Sequence, residues 1–404
     1  MLLNGKLQGQ AFAKQRNVAP VHTSRTAVHG ISSRGKLVVR QALEVPPSRA
    51  TAANELESLS RVSSVVPDTY AFETLVPGAK MAAASVSAAT LRSVLVGQSL
   101  GHKPFENAIN AALAAGRAAS SPLSATSDPL DRAMVNVGAM LSDCVTGRVE
   151  TVVDPRLAND EAAQVAKVRS LAAAYAALHV PRDRLVFALP ATWAGTQAAR
   201  VLEAEGIATT IYMVYSMAQG VAAMQAGASV LRVVVSRIHD WYDKNPGVIR
   251  NPNGPRELAG VPSSYDPGME LVKELYCYGR RFHPKTKIMA AGLRSRKDVM
   301  DLAGVDYLVL PGRLMSQLEQ VATDQGYNDG LSAVEGSSGV EAALTTAVAA
   351  ARVMHKWEPL TEESWRSGLG LAASELLDST LKRRCRDMDE LLVLLKDRIS
   401  SSAE

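Results

Sequence analysis

Cysteine is scarce in this chain: 404 residues contain only Cys144, Cys277 and Cys385. None belongs to a CxxC pair or stands at ligand spacing from a histidine, which excludes a disulfide scaffold and leaves no zinc-binding pattern. Aromatic residues make up 5%, too few for the stacking platforms of single-strand nucleic-acid binders. No run of about 18 apolar residues occurs, so no membrane-spanning helix is expected. No GxGxxG follows the first strand-like run and no GxxxxGK[ST] is present, which argues against a dinucleotide or P-loop site. The expectation is a protein with no metal, no cofactor, and neither a nucleic-acid nor a membrane partner.

Acidic residues are missing from positions 1–43, which carry seven Lys or Arg. The whole chain has a net charge of +4, so without this stretch it is mildly acidic, at −3. A basic patch for nucleic acid would therefore be an artefact of the leader. The stretch is rich in Ser, Thr and Ala and has no long apolar segment, which fits an organelle transit peptide better than a secretory signal. The hydroxyl-rich Ser32-Ser33-Arg34 region favours the chloroplast stroma, with the mitochondrion as runner-up and a basic cytosolic tail as the plain alternative. Residues 1–50 are read as this leader, cut between Arg34 and Arg49, with the fold beginning near Asn54.

From there short β-branched runs alternate with alanine-rich stretches, the pattern of a parallel α/β fold. Eight strands are expected, at 62–68, 80–89, 148–154, 185–191, 208–215, 229–237, 285–292 and 306–311. Helical stretches at 194–205 and 216–226 end at Gly206 and Gly227, the residue type that stops a helix in the left-handed region. Eight β/α repeats fit a (β/α)8 TIM barrel. Segment 245–267 reads as a long loop at the top of that barrel, and 323–341 as a connection after the last strand. Two helical stretches follow, 342–356 and 361–399, the second with a leucine stripe read as packing.

Three segments carry a specific resemblance: 188–197 (ALPATWAGTQ), 234–242 (VVSRIHDWY) and 285–294 (KTKIMAAGLR). In order and spacing they resemble the transaldolase family, and 150–157, 215–227 and the tail 361–395 extend the match over about 54–399. The resemblance implies a class I aldolase-like barrel of sugar-phosphate (pentose phosphate) metabolism. In that family a lysine forms a Schiff base with a ketose phosphate, an aspartate moves protons, and a dihydroxyacetone unit passes to an aldose. A buried, neutral amine is the nucleophile such chemistry requires.

The residues that match depart from this pattern at the centre of the chemistry. Ala188 stands at the position of the Schiff-base lysine, and no lysine lies between Arg184 and Arg200. Ala89 replaces an Asn on strand two, Val152 a Glu on strand three, Thr210 an Asn on strand five, and Tyr212 a Thr. Arg232 replaces a Ser on strand six, from where it can fill the vacated pocket, and Gly292 a Ser beside the second phosphate arginine. Retained are Asp68 as the strand-one acid, Thr192 and Trp193 at the mouth of strand four, and Arg237 and Arg294 as the phosphate-holding arginines. Guanidinium forks suit phosphate oxygens. Salt bridges to Asp240, Asp266 or Asp298 are the plain alternative for the two arginines, packing for Trp193, and capping or ion pairing for Asp68. His239 is an acid/base candidate. Lys80 and Lys287 fall near the barrel bottom, about 16 Å from the mouth, and Lys244 and Lys273 belong to a loop and a helix.

The expected function is a transaldolase-like protein that binds a phosphorylated sugar or phosphate, with Schiff-base catalysis lost at Ala188. The alternatives are a transaldolase working through another residue, a lyase or isomerase using Asp68 or His239, and a structural subunit of a plastid assembly, with a homodimer also possible.

Overall fold

The aliphatic runs become strands because each buries both faces, one against helices and one inside a barrel. The computed structural model describes residues 52–68, 81–97, 102–115, 128–250, 265–322 and 355–401. The strands are β1 (Ser64–Pro67), β2 (Ala84–Val86), β3 (Val149–Val152), β4 (Leu185–Pro190), β5 (Thr209–Val214), β6 (Val230–Val234), β7 (Lys287–Ala291) and β8 (Tyr307–Leu310). All pair in parallel in the order β1-β8-β7-β6-β5-β4-β3-β2. The result is a nearly closed (β/α)8 barrel whose seam lies between β1 and β2.

Thirteen α-helices are seen among the described residues. They are α1 (Glu55–Ser60), α2 (Ala88–Val96), α3 (Lys103–Ala115), α4 (Pro129–Cys144), α5 (Glu161–Ala177), α6 (Trp193–Ala204), α7 (Met217–Gln225) and α8 (Val235–Lys244). After them come α9 (Pro267–Phe282), α10 (Arg296–Asp301), α11 (Gly312–Gln320), α12 (Glu362–Gly368) and α13 (Gly370–Ser401). Helices α6 and α7 stop as the sequence suggests, Gly206 at φ 73° and Gly227 at φ 85°.

All eight strands are shorter than expected, and two of them stop three residues early at the carboxyl end. Ser87 and Thr90 form a reciprocal capping box that draws residues 88 and 89 into α2, so β2 ends at Val86. Strand β6 ends at Val234 because Val235, Ile238 and Trp241 are buried at helical spacing, which starts α8 early. Arg237 therefore sits in the first turn of α8 and not on a strand. Most of the 245–267 loop, the 323–341 connection, nearly all of 342–356, Lys80 and the leader lie outside the described residues.

Helix α13 has 32 residues, roughly 48 Å at the helical rise. Ala373, Leu376, Leu377, Met388, Leu391 and Leu395 bury it in the main core. Polar clasps fix its course over the C-terminal ends of the strands. Trp241 on α8 donates to Glu375 at 2.8 Å, and the Tyr215 hydroxyl, just past β5, lies 3.0 Å from the Thr380 hydroxyl. Arg156, after β3, reaches Asp389 at 3.3 Å, and Arg398 reaches Glu106 on α3 at 3.0 Å.

Candidate functional site

Alternation along a strand decides which side chains enter the barrel. On β4, Val186 lines the interior cavity, and Ala188, two residues on, shares its face. Phe187 points the other way, edge-on to Tyr175 of α5 with ring centroids 6.4 Å apart. Ala188 is fully buried and registers with Val152 on β3 and Thr210 on β5. The three positions that the resemblance assigns to lysine, glutamate and asparagine are thus neighbours in the barrel wall, and they carry a methyl, an isopropyl and a hydroxyl.

Charge has settled beside them. Glu150 lies on the same face of β3 as Val152, and Arg232 on the inner face of β6. The Arg232 guanidinium reaches Glu150 across the interior in an ion pair, and Ser85 of β2 donates to the same carboxylate oxygen at 2.9 Å. Arg232 also lies over the Tyr212 ring, 5.3 Å from its centroid. Burial pushes the Tyr212 phenol above its ordinary pKa, while Arg384 and Arg232 draw it back. Sequence reasoning placed Arg232 in the pocket but missed Glu150. Its position two residues before Val152 on a period-two strand was the available signal.

Strand β5 is irregular here. Met213 has φ 65°, and the register slips between Tyr212 and Val214. In an even strand Tyr212 and Tyr215 would face opposite sides; the extra residue re-phases the chain, so both line the cavity.

The cavity has a volume of about 1020 Å³, ample for a sugar phosphate. Asp68 stands on its wall at the end of β1, its backbone N–H donating to Leu310 at 2.9 Å. Arg237 faces the same space, one Nη 3.4 Å from the Thr380 hydroxyl. Among the described residues, the buried Thr210 hydroxyl, Tyr212 hydroxyl, second Glu150 oxygen and Arg237 Nε have no hydrogen-bond partner. Buried polar atoms are rarely left so.

The other expected site residues lie elsewhere. Arg294 makes a two-pronged pair with Asp240, both contacts 2.6 Å, and is absent from the cavity wall. That hydrogen bond holds the Asp240 carboxyl below its ordinary pKa. Gly292, at φ 72°, leaves little room for a side chain, since a Cβ there would meet Ser236 Oγ at 2.5 Å. The Thr192 hydroxyl caps α6, accepting from Gly195 at 3.0 Å and donating to Ala158 at 2.5 Å. Trp193 packs on Trp365 with centroids 6.1 Å apart. His239 is bracketed by Asp266 and Asp243, each at 3.0 Å, outside the cavity. Ala89 lines the cavity from the first turn of α2.

Two amines line the cavity among the described residues, Lys285 and Lys287, both at the start of β7. Lys287 lies 3.1 Å from Asp306, which precedes β8. An ammonium in an ion pair does not attack a carbonyl. Lys273 is engaged by Glu270 at 3.1 Å, and Lys244 closes α8.

The parallel barrel thus encloses a cavity that runs from Lys285 and Lys287 at one end to Arg237 and Thr380 at the carboxyl ends of its strands. The family described as Transaldolase/Fructose-6-phosphate aldolase matches residues 65–393. A transaldolase of Rhizobium rhizogenes is 35% identical over 274 residues, which cover 68% of this chain and 79% of that protein. The chain belongs to the transaldolase/fructose-6-phosphate aldolase family, whose chemistry is aldolase or transferase action on sugar phosphates.

Proposed function

We propose that this protein binds a phosphorylated sugar in the barrel cavity and does not form a Schiff base with it. The carrying observation is the β4 wall: Ala188 sits between Val152 and Thr210, and the Arg232–Glu150 ion pair occupies the adjoining interior. A covalent route has no first step without a nucleophile near the carbonyl. The cavity amines stand at the opposite end of β7, about 13 Å of strand away from the mouth. Arg237 supports retained binding, because its guanidinium faces the cavity with an unsatisfied Nε.

Borohydride trapping with fructose 6-phosphate, read by intact mass on the full chain, tests the chemistry. The expected result is no adduct. An adduct mapped by peptide analysis to Lys285, Lys287 or another lysine would overturn the reading and make the protein a transaldolase by a different residue. The Ala188→Lys variant run beside it asks whether the pocket still accepts the ketose. Binding is tested by melting temperature: fructose 6-phosphate is expected to raise it and Arg237→Ala to remove the rise. We further propose import into the plastid, on a basic leader whose first 43 residues carry no acid. Isolated chloroplasts taking up a fusion of residues 1–50 is the expected result, and uptake by mitochondria alone would overturn it.

A further inference from the structure

Eight Lys or Arg side chains line the cavity against three acids. Lower in the barrel two of these charges have carboxylate partners, Arg232 with Glu150 and Lys287 with Asp306, and Arg148 and Arg184 donate to backbone carbonyls. The mouth is different. Helix α13 presents Thr380, Arg383, Arg384 and Met388 to the cavity, the i, i+3, i+4, i+8 spacing of one helical face. Arg383 has no carboxylate partner among the described residues, and its Nε is buried without a hydrogen bond, as is that of Arg237. Burial lowers the pKa of Arg383, and repulsion from Arg237 and Arg384 adds to the shift, so the three cations share one neighbourhood. Arg384 has Asp387 at 3.4 Å, a long contact. Arg294, by contrast, is spent on Asp240 outside the cavity.

We infer that the phosphate site of this barrel is rebuilt on its C-terminal helix: Arg383 and Arg384 join Arg237 to hold a phosphate dianion, in place of Arg294. The inference rests on the sugar-phosphate reading above and names the groups that would grip the ligand. Crowded cations with unsatisfied N–H groups are unstable neighbours until an oxyanion lies between them, and a phosphate offers acceptors enough for two guanidinium forks and a third contact. The Thr380 hydroxyl, already near Arg237 and Tyr215, adds a neutral donor at the same place.

The test is calorimetric titration of the full chain with fructose 6-phosphate, inorganic phosphate and unphosphorylated fructose. The wild-type protein is expected to bind the first two and not the third. Arg383→Ala is expected to weaken both by about tenfold or more, the loss of a charge-assisted contact, with Arg384→Ala weakening them less. Arg294→Ala should leave the affinity within about twofold, because its pair is exposed. Circular dichroism melting of each variant without ligand separates lost binding from lost folding, and Arg383→Lys, which keeps the charge, is expected to restore part of the affinity. Unchanged binding in the Arg383→Ala, Arg384→Ala double variant, with loss in Arg294→Ala, would overturn the inference and leave the sugar-phosphate reading intact. No binding of any phosphate by the wild-type protein would overturn both.

Discussion

Among single residues, the exchange that follows from Ala188 is the pair beside it. Glu150 is 4% exposed, and Arg232 carries the only opposite charge recorded against it among the described residues. Removing one member of a buried pair leaves an uncompensated charge, which costs about 3–5 kcal/mol. Glu150→Gln is therefore expected to lower stability by about 3 kcal/mol in urea unfolding. The double change Glu150→Leu with Arg232→Met should be nearly neutral, since packed apolar groups replace buried ion pairs at little cost. A single variant as stable as the wild type would mean that water screens the pair. Gly292 belongs to the same scale. Its left-handed backbone and the nearness of Ser236 explain why the serine implied by resemblance has no place there.

At the scale of elements, Thr192 shows how a site residue in the family pattern can be doing structural work. Its hydroxyl both caps α6 and binds the Ala158 carbonyl. Thr192→Ala is expected to cost about 1–2 kcal/mol of stability with no change in fructose 6-phosphate affinity, whereas Thr192→Ser keeps both. An affinity loss larger than the stability loss would put the hydroxyl in the site.

The strands were legible for a physical reason. Runs such as 185–191 and 208–215 are apolar and β-branched because both faces are buried, and they recur as β4 and β5. Helices α2, α3 and α4 were not read from the sequence, although Ser87 and Gly97 bracket α2 and Asp128-Pro129 opens α4. The tail was legible as a helix through its leucines, yet its chemistry was not. Arg383 and Arg384 lie between leucines on what looks like a solvated face, and only the crossing of α13 over the strand ends turns that face inward. Arg237 was found through resemblance, and so was Arg294. The fate of Arg294 was hidden because a local sequence does not say which of two nearby groups, Asp240 or a ligand, a guanidinium will choose.

For the whole molecule, α13 is part of the core and not an accessory. Its buried residues join the same cluster as the barrel strands, and its clasps reach α3, α8 and the segments after β3 and β5. A chain ended after Gly368 is expected to lose its cooperative thermal transition by circular dichroism, because the apolar surface left on α8 and α2 has nothing else to cover it. A sharp transition only a few degrees lower would make the helix a cover over an independently stable barrel.

One helix thus carries a share of the core and two of the three mouth guanidiniums. Local opening of such a helix would uncover part of the core. A ligand that bridges Arg237 to Arg383 would fasten that helix to the barrel, and anything that binds only the folded state deepens its stability by mass action. The cellular lifetime of this protein would then follow the concentration of its sugar phosphate, rising when the metabolite is plentiful and falling when it is drained. Abundance itself would then become the signal.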